Sequence, residues 1–333
     1  MIEVLRAGVL TTVQDLGRSG FQHHGVPVSG AMDPLSLRTA NLLVGNPEHA
    51  AALEFTLVGP SLAFDADALI ALCGGDFGAR LGDTPVPMAR PVAVAAGSVL
   101  EFANCRLGCR GYLAVAGGIG VEPVLGSRST YLRAGFGGFE GRALKRGDRL
   151  AADMPDAGVF PGLHERLSAT AASFVSPHWA ASLHPERMAR SPQVIRFVSA
   201  RHWESLDTDA RARFLGTEYR LGADSDRMGY RLEGGALEQA SDATVLSAGV
   251  AFGTIQLPPD GNPIVLMADR QTTGGYPRLG EVASVDLPLL GQLKPGYSLR
   301  FEKVALAEAQ KLWLVQEHSI AQLHEAILAH IRE

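Results

Sequence analysis

Nine consecutive residues hold the densest group of reactive side chains in this 333-residue chain. Directly after the apolar run at 264–268, the sequence reads Asp269, Arg270, Gln271, Thr272, Thr273, Gly274, Gly275, Tyr276 and Pro277. A carboxylate, a guanidinium, an amide, two hydroxyls and a phenol therefore follow a predicted buried strand, beside glycines that let a ligand approach the backbone. The pattern predicts a site for a small, polar, planar substrate. A hairpin turn without chemistry is the alternative interpretation.

A polar stretch near the N-terminus is predicted to form the other wall of this pocket. Between residues 12 and 33 the chain is loop-like and carries Gln14, Asp15, Arg18, His23, His24, Ser29 and Asp33. Some of these residues have simpler interpretations. Asp15 and Arg18 could pair with each other at the surface, at a gain of at most about 1 kcal/mol. Asp33 precedes Pro34 and an apolar helical pattern, which indicates a helix N-cap.

A third cluster supplies two more candidate binding residues. Arg227 lies in the polar segment 225–232, which also contains aspartate and tyrosine. A single glutamine, Gln256, interrupts a strand-like apolar run at 253–258. Because a buried glutamine needs a hydrogen-bond partner, the sequence predicts that the Gln256 amide contacts either the protein or a ligand.

The residue types in these three segments suit hydrolysis of an amide. Arg18, Arg227 and Arg270 carry forked donors for phosphate or carboxylate groups. Asp269 or Asp15 could act as a general base or orient an attacking water molecule. A lactam carbonyl is stabilised by amide resonance, so its hydrolysis near neutral pH needs activation of the oxygen, which phosphorylation by ATP can provide. Donors must then stabilise the developing charge.

Composition excludes several classes of protein. The net charge is −5 and the pI is about 6.1, without the basic stripe expected of a protein that binds nucleic acid. No stretch approaches the about 18 uninterrupted apolar residues of a membrane span, and the N-terminus lacks a secretory apolar region. Three cysteines are typical of free thiols in a reducing compartment. We therefore expect a cytoplasmic chain, with no membrane or nucleic-acid partner and no metal site.

Motifs that hold nucleotides or biotin are largely missing. The chain contains no Gly-Lys dipeptide, which excludes a Walker A loop. The glycine-rich loop at 135–138 is only a loose candidate for holding phosphate. None of the seven methionines is followed by lysine, so the signature of a biotin carrier is absent. Any biotin or nucleotide chemistry is therefore expected to depend on partner proteins.

The elements that must position these residues are predicted to be mainly β-strands, with a few helices. The chain has 38 glycines, and its apolar runs are short and separated by turn signals. Runs at 68–72, 112–116 and 264–268 are apolar on both faces, whereas residues 195–197 and 299–301 alternate. Helices are predicted from Pro34 to Val44 and near the C-terminus, where the apolar positions are Leu312, Val315, Leu323, Ile327, Leu328 and Ile331.

A recurring phrase predicts two related β-barrel halves. Gly97, Gly147 and Gly296 each precede a leucine by three residues, which indicates equivalent hairpins or, alternatively, an ordinary turn used three times. A Pro-, Ala- and Ser-rich stretch separates the halves. The predicted divisions are an N-terminal barrel half at 1–155, a linker with helical pieces at 156–192, a C-terminal barrel half at 193–303 and an amphipathic helical region at 304–333.

Six phrases, taken in order, carry a resemblance that covers nearly the whole chain. They lie at 12–18, 29–33, 126–130, 226–230, 253–256 and 269–277, and they resemble the C subunit of prokaryotic 5-oxoprolinase. This family is also called KipA-like, biotin-dependent carboxyltransferase-like or allophanate hydrolase subunit 2, and is related to urea amidolyase. Matched family-typical positions are Gln14, Asp15, Gly17, Arg18, Ser29, Gly30, Asp33, Arg227, Gln256, Asp269, Arg270, Thr272, Gly274, Gly275 and Tyr276. Residues 197–202 depart from the family pattern, in which a Gly-Pro turn usually ends the strand.

The resemblance implies a fold, a reaction and partners. It implies cyclophilin-like β-barrels and ATP-dependent opening of 5-oxo-L-proline to L-glutamate by a hetero-oligomer, in which the partners are the A subunit plus a smaller, KipI-like B subunit. ATP is expected to be shared with those partners, and no biotin is expected on this chain. Two rival functions remain: a carboxyltransferase component acting on carboxybiotin and urea or a related amide, and a non-catalytic KipA-like regulator that binds a kinase inhibitor.

Overall fold

A computed structural model of the chain describes residues 1–153, 160–170, 172–182, 185–237 and 245–330. Two compact units are distinguished. The first comprises Met1–Gly17, Asp33–Pro185 and His318–Glu333, and the second comprises Arg18–Met32 and Glu186–Glu317. Residues 18–32 lie in the sequence between two segments of the first unit, but they belong to the second unit. Position 155 of the predicted first boundary and Ile331 of the predicted terminal helix lie outside the described residues.

Two antiparallel sheets of six strands each form the framework of the first unit. One contains, in spatial order, β11 (Arg149–Leu150), β1 (Ile2–Arg6), β4 (Ser61–Phe64), β9 (Val99–Glu101), β6 (Arg80–Leu81) and β7 (Thr84–Pro85). The other contains β12 (Phe174–Val175), β8 (Pro91–Val94), β5 (Ala68–Asp76), β10 (Leu107–Val115), β3 (Ala52–Thr56) and β2 (Leu10–Gln14). Both sheets contribute to one apolar core, to which the first supplies Val4 and Leu62 and the second supplies Leu53 and Leu113.

A closed barrel of seven strands forms the framework of the second unit. Its strands, in spatial order, are β13 (Gln193–Ser199), β20 (Arg278–Val282), β17 (Thr254–Gln256), β18 (Ile264–Leu266), β15 (Gly229–Glu233), β14 (Tyr219–Leu221) and β21 (Ser298–Lys303). The barrel closes where β13 runs parallel to β21. A separate two-stranded sheet pairs β16 (Ala248–Gly249) with β19 (Thr273–Gly274). The mainly β class and the C-terminal barrel are therefore confirmed, whereas the described strands of the N-terminal half form two sheets.

Side-chain alternation explains why the barrel strands have one face in the core. Ile195 and Phe197 are fully buried, while Arg196 between them is half-buried. Leu299 and Phe301 are likewise buried on either side of exposed Arg300. Because successive side chains of a strand point to opposite faces, this alternation places the aromatic rings inside the barrel.

Six helices are present in the described part of the chain. They are α1 (Pro34–Leu43), α2 (Pro161–Ser168), α3 (Pro185–Met188), α4 (Thr208–Gly216), α5 (Leu287–Gly291) and α6 (Leu306–His330). The predicted start of α1 is confirmed, because the Asp33 carboxylate accepts hydrogen bonds from the Ser36 backbone N–H at 3.0 Å and from its hydroxyl at 2.6 Å. In α6, Ile320 and Ile327 are buried, but Val315 and Leu328 are exposed. Its apolar stripe is narrower than predicted.

The recurring glycine phrase is one turn used three times. Gly97, Gly147 and Gly296 have φ values of 79°, 90° and 89°, and each is the third residue of a turn closed by a backbone hydrogen bond. This positive φ at the third position is typical of a type II turn. The leucine three residues later is buried in each case, once in β9, once in β11 and once in β21.

Two glycines in one loop of the first unit provide a matched test of packing. A Cβ at Gly138 would lie 1.8 Å from the buried Thr130 hydroxyl oxygen, whereas a Cβ at Gly135 would meet nothing within 4 Å. Both glycines have positive φ. We expect Gly135→Ala to cost about 1–2 kcal/mol of unfolding free energy from backbone strain. Gly138→Ala should cost about 1–3 kcal/mol more from overpacking. Urea denaturation of both variants measures the difference, and equal losses would contradict this packing.

Candidate functional site

A buried ion pair in the second unit joins two of the predicted site residues. The Arg227 guanidinium contacts the Asp269 carboxylate through Nε to Oδ2 at 2.8 Å and through Nη2 to Oδ1 at 3.1 Å. Arg227 Nη2 also donates to the Gly30 carbonyl at 2.6 Å. Asp269 follows β18 and Arg227 precedes β15, two strands that are paired. The barrel therefore fixes both partners, and both oxygens of Asp269 are engaged. Its role as a general base stays a prediction.

Arg270, next to this pair, has no carboxylate partner. Among the described residues, no acidic group lies within 4 Å of its guanidinium, although its side chain is only partly exposed. Its Nη1 lies 3.3 Å from the Met267 carbonyl oxygen. Its Nε has no hydrogen-bond partner among the described residues. The guanidinium carbon lies 5.8 Å from the centre of the Phe252 ring. Burial lowers the pKa of Arg270 to about 10. A partly desolvated cation of this kind attracts an anionic ligand.

Gln256 is buried as predicted, and part of its amide is unsatisfied. It lies on β17 with 1% of its surface exposed, and its Nε2 donates to no described residue. A Cβ at Gly274 would lie 2.4 Å from this nitrogen. The loop backbone therefore passes directly beside the glutamine amide, and a larger residue at 274 would displace that amide. An unpaired buried donor is costly, so the Nε2 group is suited to a ligand oxygen.

The rest of the 269–277 loop has mostly exposed residues. Gln271, Thr273, Gly275 and Tyr276 are exposed, and Thr272 and Gly274 are half-buried. Within this loop, strand β19 pairs with β16, which lies about 25 residues earlier in the chain. Buried Asp269 and half-buried Arg270, at the start of the loop, thus differ from its exposed tip. The binding role of the tip residues stays a prediction.

The segment at 18–32 brings two more predicted residues into the second unit. Arg18 is 1% exposed, and its backbone N–H donates to the Val28 carbonyl at 2.8 Å. Ser29 is buried with φ at 57°, an uncommon conformation for a residue other than glycine. The Ser29 hydroxyl has no hydrogen-bond partner in the described part of the chain. A strained backbone that presents an unsatisfied hydroxyl is a reason to retain Ser29 as a candidate binding residue.

Asp15 belongs to the first unit, where four donors hold its carboxylate. Oδ1 accepts from the Gly17 N–H at 2.7 Å and from the Ser127 hydroxyl at 2.6 Å, and the Ser129 hydroxyl donates to the same oxygen. Oδ2 accepts from the Arg128 N–H at 2.6 Å. This saturated arrangement ties the loop at 127–129 to the end of β2 and favours a positioning role. Catalysis by Asp15 stays a prediction.

Gln14 is also part of the first unit and is fully buried. Its Nε2 donates to the Thr12 hydroxyl at 3.1 Å and to the Thr130 carbonyl at 3.2 Å. The Oε1 atom accepts no hydrogen bond from the residues that the structure describes. Gln14 therefore resembles Gln256 in presenting half of a buried amide that a ligand could satisfy.

A buried polar group in the first unit was not identified from the sequence. Tyr112 on β10 donates its hydroxyl to Glu54 Oε2 at 2.7 Å and accepts the Asp33 backbone N–H at 2.8 Å. Burial, followed by the negative charge of Glu54, raises the pKa of Tyr112 well above its usual value. The sequence signal for this buried group was a single glutamate, Glu54, within the apolar strand β3. Its partner is set by strand pairing, which places Glu54 opposite Tyr112.

Glu281 is a second carboxylate that sequence reasoning missed. It lies on β20 opposite Thr254 of β17, and its Oε2 accepts the Thr254 hydroxyl at 2.6 Å. Burial raises the pKa of Glu281, while the hydrogen bond and the charges of Arg278 and Arg270 act in the opposite direction. The second unit therefore contains a perturbed acid near the cation at Arg270, a combination that is frequent at functional sites.

The glycine-rich loop at 135–138 has a packing explanation. Gly138 lies against Thr130, and a Cβ at Gly141 would meet the Gly135 carbonyl oxygen at 2.0 Å. Phosphate binding by this loop stays a prediction. In the described ranges, no group of three or more His, Cys, Asp or Glu side chains is placed to hold a metal ion. None of the helices described is long and apolar enough to cross a membrane.

The Arg227 and Asp269 pair changes what an Asp269→Asn variant is expected to show. Asparagine keeps the shape but leaves the buried guanidinium without its counter-charge, so we expect a loss of about 3–5 kcal/mol of unfolding free energy. Replacing both residues, as Arg227→Met with Asp269→Leu, should cost less than the single change because no charge is left buried. Chemical denaturation of the three proteins measures this. A single variant as stable as the parent would contradict the assigned pairing.

Comparison with known proteins identifies the family. The chain is 40% identical over 323 residues to the C subunit of 5-oxoprolinase from Escherichia coli, covering 97% of each protein, and 36% identical over 332 residues to the Haemophilus influenzae protein of that name, covering 98% and 99%. It superposes on the crystal structure of Kluyveromyces lactis urea amidolyase with a TM-score of 0.84 and 31% identity, covering 96% of this chain but only 20% of the amidolyase. The family model described as carboxyltransferase domain, subdomain A and B, matches residues 24–303, and the chain therefore belongs to this carboxyltransferase domain family.

Proposed function

We propose that this chain is the C subunit of an ATP-dependent 5-oxoprolinase, which hydrolyses 5-oxo-L-proline to L-glutamate with two partners, the A subunit plus a KipI-like B subunit. The proposal is supported by two relatives, named as C subunits of 5-oxoprolinase, that align with this chain over almost their full lengths. Such end-to-end similarity favours the same role in the complex. Hetero-oligomer formation and activity that depends on the partner proteins are parts of the proposal.

The observation that carries the proposal is the unpaired cation at Arg270. A partly desolvated guanidinium without a carboxylate is stabilised when an anion binds. 5-Oxoproline supplies such an anion in its carboxylate, and its lactam carbonyl supplies an acceptor for the Gln256 Nε2 donor. Gln256 on β17 pairs with Ile264 of β18, the strand that leads into Arg270. The barrel thus offers both donors from neighbouring strands.

ATP has a defined place in this proposal. Because resonance stabilises the lactam, its oxygen must be activated before water attacks, and transfer of a phosphoryl group from ATP achieves this. The chain has no Gly-Lys dipeptide and hence no Walker A loop. We therefore assign the nucleotide site to the assembled complex, with ATP contacts shared between this chain and its partners.

A carboxyltransferase acting on carboxybiotin and urea or a related amide is the second candidate. It is supported by the similarity of this chain to urea amidolyase. In this case Arg270 would bind the carboxylate of carboxybiotin, which a separate carrier would deliver, since no methionine in this chain precedes a lysine. The two functions differ in where the anion lies: on the substrate itself for 5-oxoproline, and on the carrier for urea.

Reconstitution of the complex tests the proposal directly. The chain is co-expressed with the A and B partners, and glutamate release from 5-oxoproline is measured with and without ATP. We expect release only when ATP and all three proteins are present. If 5-oxoproline is not hydrolysed, while urea is carboxylated by a carrier protein whose biotin has first been carboxylated by a biotin carboxylase with ATP and bicarbonate, the carboxyltransferase candidate replaces the first.

Neutralising Arg270 tests the proposed anion site. Arg270→Gln should raise the KM for 5-oxoproline by about 10- to 100-fold, because a hydrogen bond to a charged group contributes about 1.5–3 kcal/mol. Arg300→Gln is the matched control: this arginine is in the same unit, but its side chain is 51% exposed and pairs with Glu218. The control should leave KM unchanged. Similar KM values for the two variants would rule out anion binding by Arg270.

A further inference from the structure

Glu281 is held by the barrel in a fixed orientation. Its register partners are Thr254 on β17 and Val198 on β13, so strands flank it on both sides. The Thr254 hydroxyl donates to Glu281 Oε2 at 2.6 Å and accepts the Ala251 N–H at 2.8 Å. Because Thr254 is fully buried and both of these contacts are made, its single hydroxyl proton is directed at Glu281.

The second carboxylate oxygen of Glu281 is not engaged. Among the described residues, no group donates a hydrogen bond to Oε1, and no basic side chain lies within 4 Å of the carboxylate. The nearby cations are Arg270 and Arg278. Arg278 is turned elsewhere, since its Nη1 donates to the Gly249 carbonyl at 2.9 Å and its backbone N–H donates to His202 Nδ1 at 3.0 Å. On the β13 side the facing residue, Val198, is apolar.

This environment favours the protonated form of Glu281 more than water does. Burial is the largest influence and raises the pKa, and the Thr254 hydrogen bond and the two arginines offset it only in part. The carboxylates that the sequence indicated, Asp269 and Asp15, differ from Glu281 in their contacts. Asp269 is paired with Arg227, and Asp15 accepts four hydrogen bonds. Glu281 is the described carboxyl group near Arg270 that combines a free oxygen with a tendency to hold a proton.

We infer that Glu281 is the catalytic acid of the site and delivers its carboxyl proton to the ring nitrogen as the lactam C–N bond breaks. The inference rests on the proposed function. Water adds through its oxygen to the carbon of the ATP-activated carbonyl. The C–N bond then breaks with its electron pair moving to nitrogen, which takes the proton from Glu281. The Glu281 carboxylate recovers a proton from the added water, and the product of this step is the acyl phosphate of glutamate. A second water molecule hydrolyses the acyl phosphate to glutamate and inorganic phosphate, so the acid is regenerated in each turnover.

Glu281→Gln in the reconstituted complex tests the acid directly. Glutamine keeps the size and can still accept the Thr254 hydrogen bond, but it cannot supply a proton. General acid catalysis contributes about 10²- to 10⁴-fold, so we expect kcat to fall by at least about 100-fold with little change in KM. Glu281→Asp retains an acid and should recover part of the rate. The folded state of each variant is checked by circular dichroism and thermal unfolding before assay.

The pH profile separates a proton donor from a merely structural residue. If the protonated acid is required, kcat falls as the pH rises through the pKa of Glu281. Thr254→Val removes the hydrogen bond that stabilises the ionised carboxylate, so the pKa of Glu281 rises further. The falling limb of kcat should therefore move to higher pH in Thr254→Val and disappear in Glu281→Gln. If Glu281 only supported the fold, the falling limb of kcat would stay at the same pH in both variants.

The possible failures are distinguishable. A complex that releases glutamate from 5-oxoproline at an unchanged rate with Glu281→Gln overturns the acid role and leaves the proposed function standing. The acid role is also overturned if the Thr254→Val limb stays in place or moves to lower pH. A parent complex that releases no glutamate from 5-oxoproline overturns the proposed function, and the role of Glu281 falls with it.

Discussion

The second unit depends on the buried ion pair between Arg227 and Asp269. Removing two charges from water costs several kcal/mol per ion, and such a pair is tolerated only when its geometry is good and other hydrogen bonds satisfy the remaining donors. Both conditions are met, because the contact is bidentate and the Gly30 carbonyl accepts a further N–H. A segment about two hundred positions earlier in the sequence is thereby attached to the barrel, through the Gly30 carbonyl and Arg227.

The ion pair also determines the charge available to a ligand. Since Arg227 pairs with Asp269, the neighbouring Arg270 forms no ion pair with that carboxylate among the described residues, and it lies against carbonyl oxygens and the Phe252 ring. Glu281 is near enough to influence Arg270 but forms no ion pair with it among the described residues. The barrel thus separates one cation from one acid instead of letting them pair. Such separation is expected where a ligand takes the position between them.

Local chemistry made much of the fold predictable, and non-local pairing limited the rest. The Asp33 and Pro34 start of α1 and the alternation in β13 and β21 depend on neighbouring residues, and they were predicted correctly. The glycine turns are equally local, but the sequence left open whether they marked equivalent hairpins or one turn used three times, and the structure shows the turn. The second half closes as a barrel, whereas the first half forms two sheets. This difference depends on which strands pair. Glu54 and Glu281 were missed for the same reason: each is a single carboxylate in a strand, and its partner, Tyr112 or Thr254, is fixed only by the register.

Proton demand favours ring opening over carboxyl transfer for this site. When a lactam opens, its nitrogen becomes an amine and must gain a proton, so a carboxyl group whose pKa is raised by burial is an advantage. When urea is carboxylated, its nitrogen must lose a proton, for which an ionised base is better suited. The residues near Arg270 match the first requirement, since burial favours the acid form of Glu281 and Asp269 is tied to Arg227. The raised pKa of Glu281 therefore supports the proposed ring opening, whereas the cation at Arg270 suits the anion of either candidate reaction.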